Sequence, residues 1–305
     1  MYRWQSVSSL ALTITIALGC VAAGQTTGAG RGSDGAFDGN RAFEDLRSLV
    51  AIGPRVAGTP ANAETRRFII KTLAASGIKA IEQPFEAVTP VGRVKMANVI
   101  ATLAGNRPDC IGLASHFDTK LFREFRFVGA SDGGSSTAAL LELARVLKDK
   151  PRPFTLEFLF LDGEEAVQEW RGTDHTYGSR YYVEAGRKAG TLASLKALIL
   201  LDMIGDRNLN IRREENSTSW LTDIIWNTAA KLGHDREFVS PSAPVEDDHL
   251  PFLEAGVAAV DLIDLDYPAW HTAADTLENV SARSLQIVGD VVVAALPEIE
   301  KHLTR

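Results

Sequence analysis

The chain has 305 residues, of which 45% are hydrophobic and 23% are charged, and this composition is ordinary for a protein with one large folded core. Its net charge is -7 and its lysines and arginines form no cluster, so it lacks the electrostatic pattern of a nucleic-acid-binding protein. The apolar run from Leu10 to Leu18 has nine residues, too few to span a bilayer as a mature helix. We therefore expect neither a nucleic-acid partner nor a transmembrane span.

The N-terminal segment has the pattern of an export signal. Arg3 precedes the apolar run, and the small residues from Gly19 to Ala23 follow it. Residues 1–24 are therefore predicted to be a signal peptide, and the Gly-, Ser- and Thr-containing residues 25–40 a flexible linker. Because "ALGC" at 17–20 also resembles a bacterial lipoprotein cleavage box, a lipid anchor on Cys20 stays open. The product is expected to be exported, either periplasmic or secreted.

Residues 41–305 alternate between helical and extended patterns, and they are predicted to form the catalytic domain. Helices are predicted at 41–52, 59–76, 135–148, 177–188, 217–232 and 281–302, with Thr59 and Ser281 as N-caps. Strands are predicted at 80–88, 96–104, 110–115, 154–161, 197–204 and 257–263. This alternation predicts a single α/β domain with a mostly parallel central sheet and helices on both faces.

Acidic and imidazole side chains follow the predicted strands, at the points where the strands end. In open α/β sheets ligands bind beyond the carboxyl ends of the strands, so these side chains are expected to share one rim of the sheet. Clustered carboxylates and imidazoles suit a divalent metal ion, and one of the two adjacent glutamates is then free to act as a base. The rim residues are His116, Asp118, Asp132, Asp162, Glu164, Glu165, Asp202 and His271.

Each of these segments has a plainer interpretation when it is taken alone. The acids from Asp162 to Glu165 are compatible with a solvated turn, and Asp202 is compatible with a cap on the next helix. His271 is compatible with a surface loop. The order His-x-Asp, Asp, Glu-Glu, Asp, His along one chain favours the metal site over these separate explanations.

Neighbouring acids and imidazoles are expected to have supporting roles. Asp118 is expected to orient His116 rather than to bind metal. Asp248 and His249 are expected to cap a helix that begins near Leu250.

Seven segments of the chain carry a resemblance to a known family. Their order resembles the zinc-dependent aminopeptidase clan, whose members use two co-catalytic zinc ions. Within that clan it most resembles the glutaminyl-peptide cyclotransferases of animal type, and it extends over roughly residues 41–303. The segments are "HFDTK" (116–120), "FVGASDGGSSTAALLELAR" (127–145), "FLDGEEA" (160–166), "YGSRYY" (177–182), "LILLDMIGD" (198–206), "DDHLPFLEAGV" (247–257) and "WHTAADTLENV" (270–280).

The resemblance implies a zinc site and a general base. Asp132, Glu165 and His271 would be the ligands of one zinc ion per chain, and Glu164 would be the base. The implied reaction converts the N-terminal glutamine of a peptide or protein to pyroglutamate and releases ammonia. The expected partners are therefore peptide or protein substrates, and the protein is expected to be a monomer.

The same resemblance assigns roles to further residues of the site. In the aminopeptidases, the positions of His116 and Asp202 hold a second zinc ion. In the cyclotransferases these positions hold no metal, and Asp202 would join Asp247 in a catalytic network of hydrogen-bonded acids. Trp270 would form a wall of the substrate pocket and Trp170 its rim.

Two other functions stay open at this point. A two-zinc aminopeptidase would use nearly the same residues, with Asp132 bridging the two ions and Glu164 activating a water molecule. A non-catalytic binding domain, such as a receptor ectodomain, would have lost a ligand or the base, whereas every one of these positions is filled. Trp270 next to His271, together with "DDHLPF" and "HFDTK", favours the cyclotransferase.

Overall fold

The computed structural model describes Met1 and residues 36–305. The predicted signal peptide after Met1, including Cys20, and most of the predicted linker lie outside these residues. The first helix begins ahead of the predicted boundary at Arg41, because the Asp38 side chain accepts hydrogen bonds from the backbone nitrogens of Asn40 and Arg41. Phe37 is already buried in the core. Within the described part of the chain, no helix is both long enough and apolar enough to cross a membrane.

The helices and strands alternate along the chain as the sequence predicts. The seven α-helices of the described residues are α1 (Gly39–Ile52), α2 (Pro60–Ala75), α3 (Ser136–Leu147), α4 (Tyr177–Ala189), α5 (Ser219–Lys231), α6 (Leu250–Glu254) and α7 (Ala282–Leu303). The strands there are β1 (Ala80–Thr89), β2 (Gly92–Leu103), β3 (Arg107–His116), β4 (Phe154–Leu161), β5 (Leu195–Asp202), β6 (Ile211–Glu214), β7 (Phe238–Ala243) and β8 (Ala258–Ile263).

Six strands form the central sheet, in the order β1-β2-β4-β3-β5-β8. The four strands β4, β3, β5 and β8 are parallel to one another, whereas β1 and β2 form an antiparallel hairpin at one edge. The predicted, mostly parallel sheet is confirmed. The short strands β6 and β7 form a separate two-stranded sheet that the sequence pattern did not indicate.

Alternate residues of β4 pack on opposite faces of the sheet, as the two-residue period of a strand requires. Phe158 and Phe160 join a core that also contains buried residues of α1, α2, α3, α5 and α7. Leu159 joins a second core with Val183 of α4 and Phe252 of α6. The uninterrupted apolar run of β4 is therefore explained by burial on both faces, and the predicted helices on both faces are confirmed.

Two predicted helix caps are present, and one expectation about a cap is wrong. The Thr59 side chain accepts from the nitrogen of Asn62 at the start of α2, and Ser281 caps α7. In contrast, the structure shows no side-chain cap on α6. Asp248 and His249 were expected to supply it, but both are fully buried; Asp248 accepts from the Ser179 hydroxyl, and His249 contacts Glu214.

Replacing the α7 cap should destabilise the protein measurably. Ser281 Oγ accepts from the backbone nitrogen of Ser284 at 3.1 Å, so Ser281→Ala leaves that buried donor without a partner. We expect a loss of about 1 kcal/mol in the free energy of unfolding, measured by urea denaturation. Ser281→Thr, which keeps the hydroxyl, is the matched control and should lose less. Equal stability of the alanine variant and the parent would contradict this role.

Candidate active site

The carboxyl ends of the parallel strands bring the predicted rim residues into two overlapping clusters. His116 is the last residue of β3 and Asp202 the last residue of β5, and these two strands are neighbours in the sheet. One cluster contains His116, Asp132 and Asp202, and the other contains Asp132, Glu165 and His271. Within each cluster, one potential ligand atom per residue lies within 4.8 Å of the others. Asp132 therefore belongs to both clusters.

The Asp132 carboxylate lies between two imidazole rings. Its Oδ2 is 3.4 Å from Nε2 of His271, and its Oδ1 is 3.3 Å from Nε2 of His116. The second contact of His271 Nε2 is Glu165 Oε1 at 3.3 Å, and that of His116 Nε2 is Asp202 Oδ1 at 3.1 Å. The Nε2 atom of each histidine thus faces two carboxylates.

A sharp backbone turn before α3 directs Asp132 into this position. Asp132 has an extended backbone, and Gly133 follows in the left-handed region with φ +70°. A Cβ at Gly133 would lie 2.8 Å from the carbonyl oxygen of Asp118 and 2.9 Å from Cε1 of His116. Only glycine therefore fits between the turn and the neighbouring cluster.

Asp275 fixes the same turn from the opposite side. Its carboxylate accepts from the backbone nitrogens of Ser131 at 2.7 Å and Asp132 at 3.2 Å, and from the hydroxyl of Tyr267 at 2.8 Å. Sequence reasoning assigned no role to Asp275. The available signal was a further acid four residues after His271, within the same segment "WHTAADTLENV" that carries the family resemblance.

Asp118 positions the backbone of the two glutamates. Its carboxylate accepts from the backbone nitrogens of Glu164 at 3.1 Å and Glu165 at 3.3 Å. It also lies 3.5 Å from Nδ1 of His116, so the expected orienting role is compatible with this geometry. Asp162, the first of the three acids in "DGEE", does not take part in the site and belongs to neither cluster. It is fully buried, and its carboxylate accepts from Asn62 Nδ2 and from a backbone nitrogen of β2.

Glu164 and Glu165 are adjacent in sequence but have different surroundings. Glu165 belongs to the second cluster, accepts from the Lys120 backbone nitrogen at 3.1 Å and lies 3.6 Å from Lys120 Nζ. Glu164 belongs to neither cluster, lies 3.8 Å from Nδ1 of His116 and faces the cavity. Burial raises the pKa of Glu164 well above its ordinary value; nearby His116 opposes this shift, and Asp247 reinforces it.

Aromatic side chains enclose the His271 ring. His271 has a left-handed backbone, with φ 53°, which is uncommon for a residue with a side chain. Trp270 stacks on its ring at a centroid distance of 4.5 Å, and Phe122 and Phe127 meet it edge-on at 5.5 and 5.9 Å. The two phenylalanines lie in the segment after "HFDTK" and were not identified from the sequence. Their packing limits the rotation of the imidazole.

Asp202 and Asp247 both face the cavity. The Asp202 carboxylate contacts Nε2 of His116, and the Asp247 carboxylate accepts from the backbone nitrogen of Asp248. Burial raises the pKa of Asp247 well above its ordinary value, and the negative charge of Asp202 acts in the same direction. Asp261 is fully buried on β8 and was not identified from the sequence.

Four residues of these clusters, Asp132, Glu165, Asp202 and His271, form the floor of a cavity of about 500 Å³. Trp170 and Trp270 stand at its mouth, where they are 36% and 45% exposed. Apolar side chains, including Met203 and Ile263, form much of the wall between floor and mouth. The structure therefore places both predicted pocket tryptophans beside the candidate site.

The donor sets are suited to a metal ion. The carboxylate oxygens Asp132 Oδ2 and Glu165 Oε2 are buried, and neither accepts a hydrogen bond from any residue that the structure describes. His271 Nε2 lies 3.4 Å from the first oxygen and Lys120 Nζ lies 3.6 Å from the second, both without hydrogen-bond geometry. A buried anionic oxygen without a partner is costly, and a bound cation would remove that cost. Two carboxylates and one imidazole are ligands that zinc takes in proteins, and a catalytic zinc site keeps a fourth position open.

The chain resembles proteins of known family over most of its length. The sequence model of peptidase family M28 matches residues 98–296. The glutaminyl-peptide cyclotransferase-like protein of Mus musculus is 32% identical over 283 residues, which cover 83% of this chain and 73% of the relative.

Solved structures share the fold. The crystal structure of a glutaminyl cyclase from an Acidobacteriales bacterium has a TM-score of 0.84 and 39% identity, over 90% of this chain and 98% of that one. A leucine aminopeptidase precursor from Bacteroides thetaiotaomicron has a TM-score of 0.79 and 26% identity, over 86% of this chain and 97% of that one. The resemblance predicted from the sequence is confirmed: the chain belongs to peptidase family M28 and, within it, to the glutaminyl-peptide cyclotransferase family.

Proposed function

We propose that the protein is a glutaminyl-peptide cyclotransferase, which converts the N-terminal glutamine of peptides or proteins to pyroglutamate and ammonia. The observation that carries this proposal is a buried glutamate outside the ligand cluster, Glu164, that faces the same tryptophan-flanked cavity as Asp132, Glu165 and His271. Such a cavity offers a cation site, a base and an apolar wall to the glutamine side chain of a bound substrate. The membership of the chain in the family supports the same activity.

Asp132, Glu165 and His271 are the residues proposed to hold one zinc ion. Their unpartnered oxygens and the imidazole nitrogen converge on the floor of the cavity. When bound there, zinc supplies a Lewis acid that polarises the carbonyl oxygen of the substrate's side-chain amide.

Glu164 is proposed to move the proton that cyclisation displaces. The reaction forms a bond between the α-amine nitrogen and the side-chain amide carbon, and it breaks the bond between that carbon and the amide nitrogen. Glu164 accepts the proton that the attacking amine loses and donates it to the departing nitrogen, which leaves as ammonia. Because Glu164 belongs to neither ligand cluster, its carboxylate is available for both transfers.

Asp202 and Asp247 are proposed to orient the leaving amide. Both line the cavity beside Glu164, and the pKa of Asp247 is raised by burial and by the charge of Asp202. A protonated carboxyl donates a hydrogen bond and an ionised one accepts, so the two acids can hold an amide group by sharing one proton.

The tryptophans suit a reaction that needs no water. In the bound substrate the amine and the amide belong to the same residue, so their reaction is intramolecular. Trp270 and Trp170 flank the entrance and reduce the access of water, which would otherwise hydrolyse the amide. A hydrolase must instead admit water as its nucleophile.

An aminopeptidase with two zinc ions is the second candidate. The position of Asp132 in both clusters is the observation that favours it, because a bridging carboxylate is what two metal ions would share. In that mechanism Glu164 would activate a water molecule, and the N-terminal residue would be released.

One paired assay separates the two candidates. The purified protein is incubated with a peptide that begins with glutamine and, separately, with leucyl-anilide. We expect ammonia from the peptide and no free aniline from the anilide. Release of aniline without release of ammonia would overturn the cyclotransferase proposal in favour of the aminopeptidase.

We also propose that the protein is exported and meets its substrates outside the cytoplasm. The support is the N-terminal signal pattern of residues 1–24, with Cys20 as an optional lipid attachment site. Mass spectrometry of the mature N-terminus tests the cleavage site and the lipid together.

Glu164→Gln should abolish most of the turnover but retain the metal. The amide cannot accept the proton of the attacking amine, so kcat should fall by about 10²–10⁴-fold. Zinc content, measured by elemental analysis, should stay near the parent value because Glu164 lies outside the ligand cluster. Glu169→Gln, which changes an exposed acid of the same loop, is the control. Loss of zinc from the Glu164 variant would show that Glu164 is itself a ligand.

Phe122→Ala should weaken zinc binding, because it opens one side of the His271 enclosure. We expect the zinc dissociation constant to rise on the order of tenfold, the lower end of the range for side chains that orient a ligand. Phe85→Ala is the matched control, since it removes an aromatic stack with Tyr181 that does not touch His271. Competition against a chelator measures both constants. An unchanged constant in the Phe122 variant would mean that the backbone alone holds His271.

A further inference from the structure

A bound peptide has only one direction in which to continue. If its first side chain reaches the clusters on the floor of the cavity, the rest of the chain must leave through the mouth. The residue that follows the glutamine then lies at the rim, where Trp170, Trp270 and Glu246 line the cavity. The rim therefore contacts a part of the substrate that takes no part in the reaction.

Contacts on two sides hold Trp170 in place at this rim. His175 stacks on its indole ring with a centroid distance of 4.3 Å and an interplanar angle of 11°. The indole Nε1 donates to Glu246 Oε2 at 3.2 Å. The ring and the carboxylate consequently form one surface of fixed geometry. No residue in the described part of the chain donates a hydrogen bond to the other Glu246 oxygen, which can therefore bind a substrate group.

The charge of Glu246 is not compensated by the groups that surround it. Burial lowers the pKa of the His175 imidazole and so disfavours its charged form, although Glu246 opposes this shift. The Arg180 guanidinium donates to the carbonyl oxygens of Thr173 and His175 instead.

The remaining charged side chains near the mouth do not compensate the charge of Glu246 either. Lys120 lines the cavity, but its ammonium contacts Glu165 and the carbonyl oxygen of Ala166 near the floor. Glu169 and Arg171 are neighbours of Trp170 in the sequence, and neither lines the cavity. The rim is therefore negatively charged beside an exposed indole ring.

We propose that Glu246 and Trp170 form a subsite for the residue after the N-terminal glutamine, and that this subsite prefers lysine or arginine there. A cationic side chain would pair with the free carboxylate oxygen and lie against the indole face, an arrangement in which cation–π attraction adds to the charge pair. An acidic side chain would be repelled. This preference rests on the proposed function and specifies its substrate class.

The test compares ammonia release from three peptides that differ only in the second residue: Gln-Lys, Gln-Ala and Gln-Glu peptides. For the parent protein at low salt, we expect kcat/KM to be about three- to tenfold higher with lysine than with glutamate, as for partly exposed charges. Added salt should reduce this ratio, because exposed charges are screened.

Two variants identify the source of the preference. Glu246→Gln keeps an oxygen that accepts from Trp170 but loses the charge, and the lysine-to-glutamate ratio should fall to about one. Glu169→Gln removes a nearby charge outside the cavity and should keep the parent ratio. A ratio near one in the parent, or a preference that survives in Glu246→Gln, would overturn the subsite while the cyclotransferase proposal stands. No ammonia from any of the three peptides would overturn both.

Discussion

The site depends on the burial of several carboxylates at one edge of a sheet. Asp132, Glu165 and Asp202 are each less than one-tenth exposed, and like charges at such short range repel one another strongly. Such a group is stable only when a cation or a shared proton compensates it. His116 and His271 supply part of that compensation, and the unpartnered oxygens of Asp132 and Glu165 indicate where a metal ion would supply the rest.

The fold provides this arrangement through parallel strands and a few rigid supports. Neighbouring parallel strands end at one edge, so residues far apart in sequence meet there without long loops. Asp118 and Asp275 then bind backbone nitrogens of the segments that carry the glutamates and Asp132. Gly133 permits the turn beside them. Such supports explain how acids that repel one another are nevertheless held in one geometry.

The sequence predicted the parts of this site that depend on local pattern. Strand ends can be recognised where an apolar run stops at an acid or a histidine, so the positions of His116 and Asp202 were predictable. Features that depend on tertiary contacts were not: Phe122 and Asp261 meet the site only after folding, and Asp248 caps no helix because its carboxyl faces the interior. The strands β6 and β7 have only four and six residues, and β7 contains Pro241, so they carry too weak a period to be identified.

The central claim is that one metal ion, held by Asp132, Glu165 and His271, serves a cyclotransferase rather than a hydrolase. Crystals grown with zinc, with diffraction data collected on both sides of the zinc absorption edge, test it most directly. One anomalous peak per chain among these three side chains is the predicted result. A second peak of equal height between His116 and Asp202 would contradict it, because those residues would then belong to a two-metal centre.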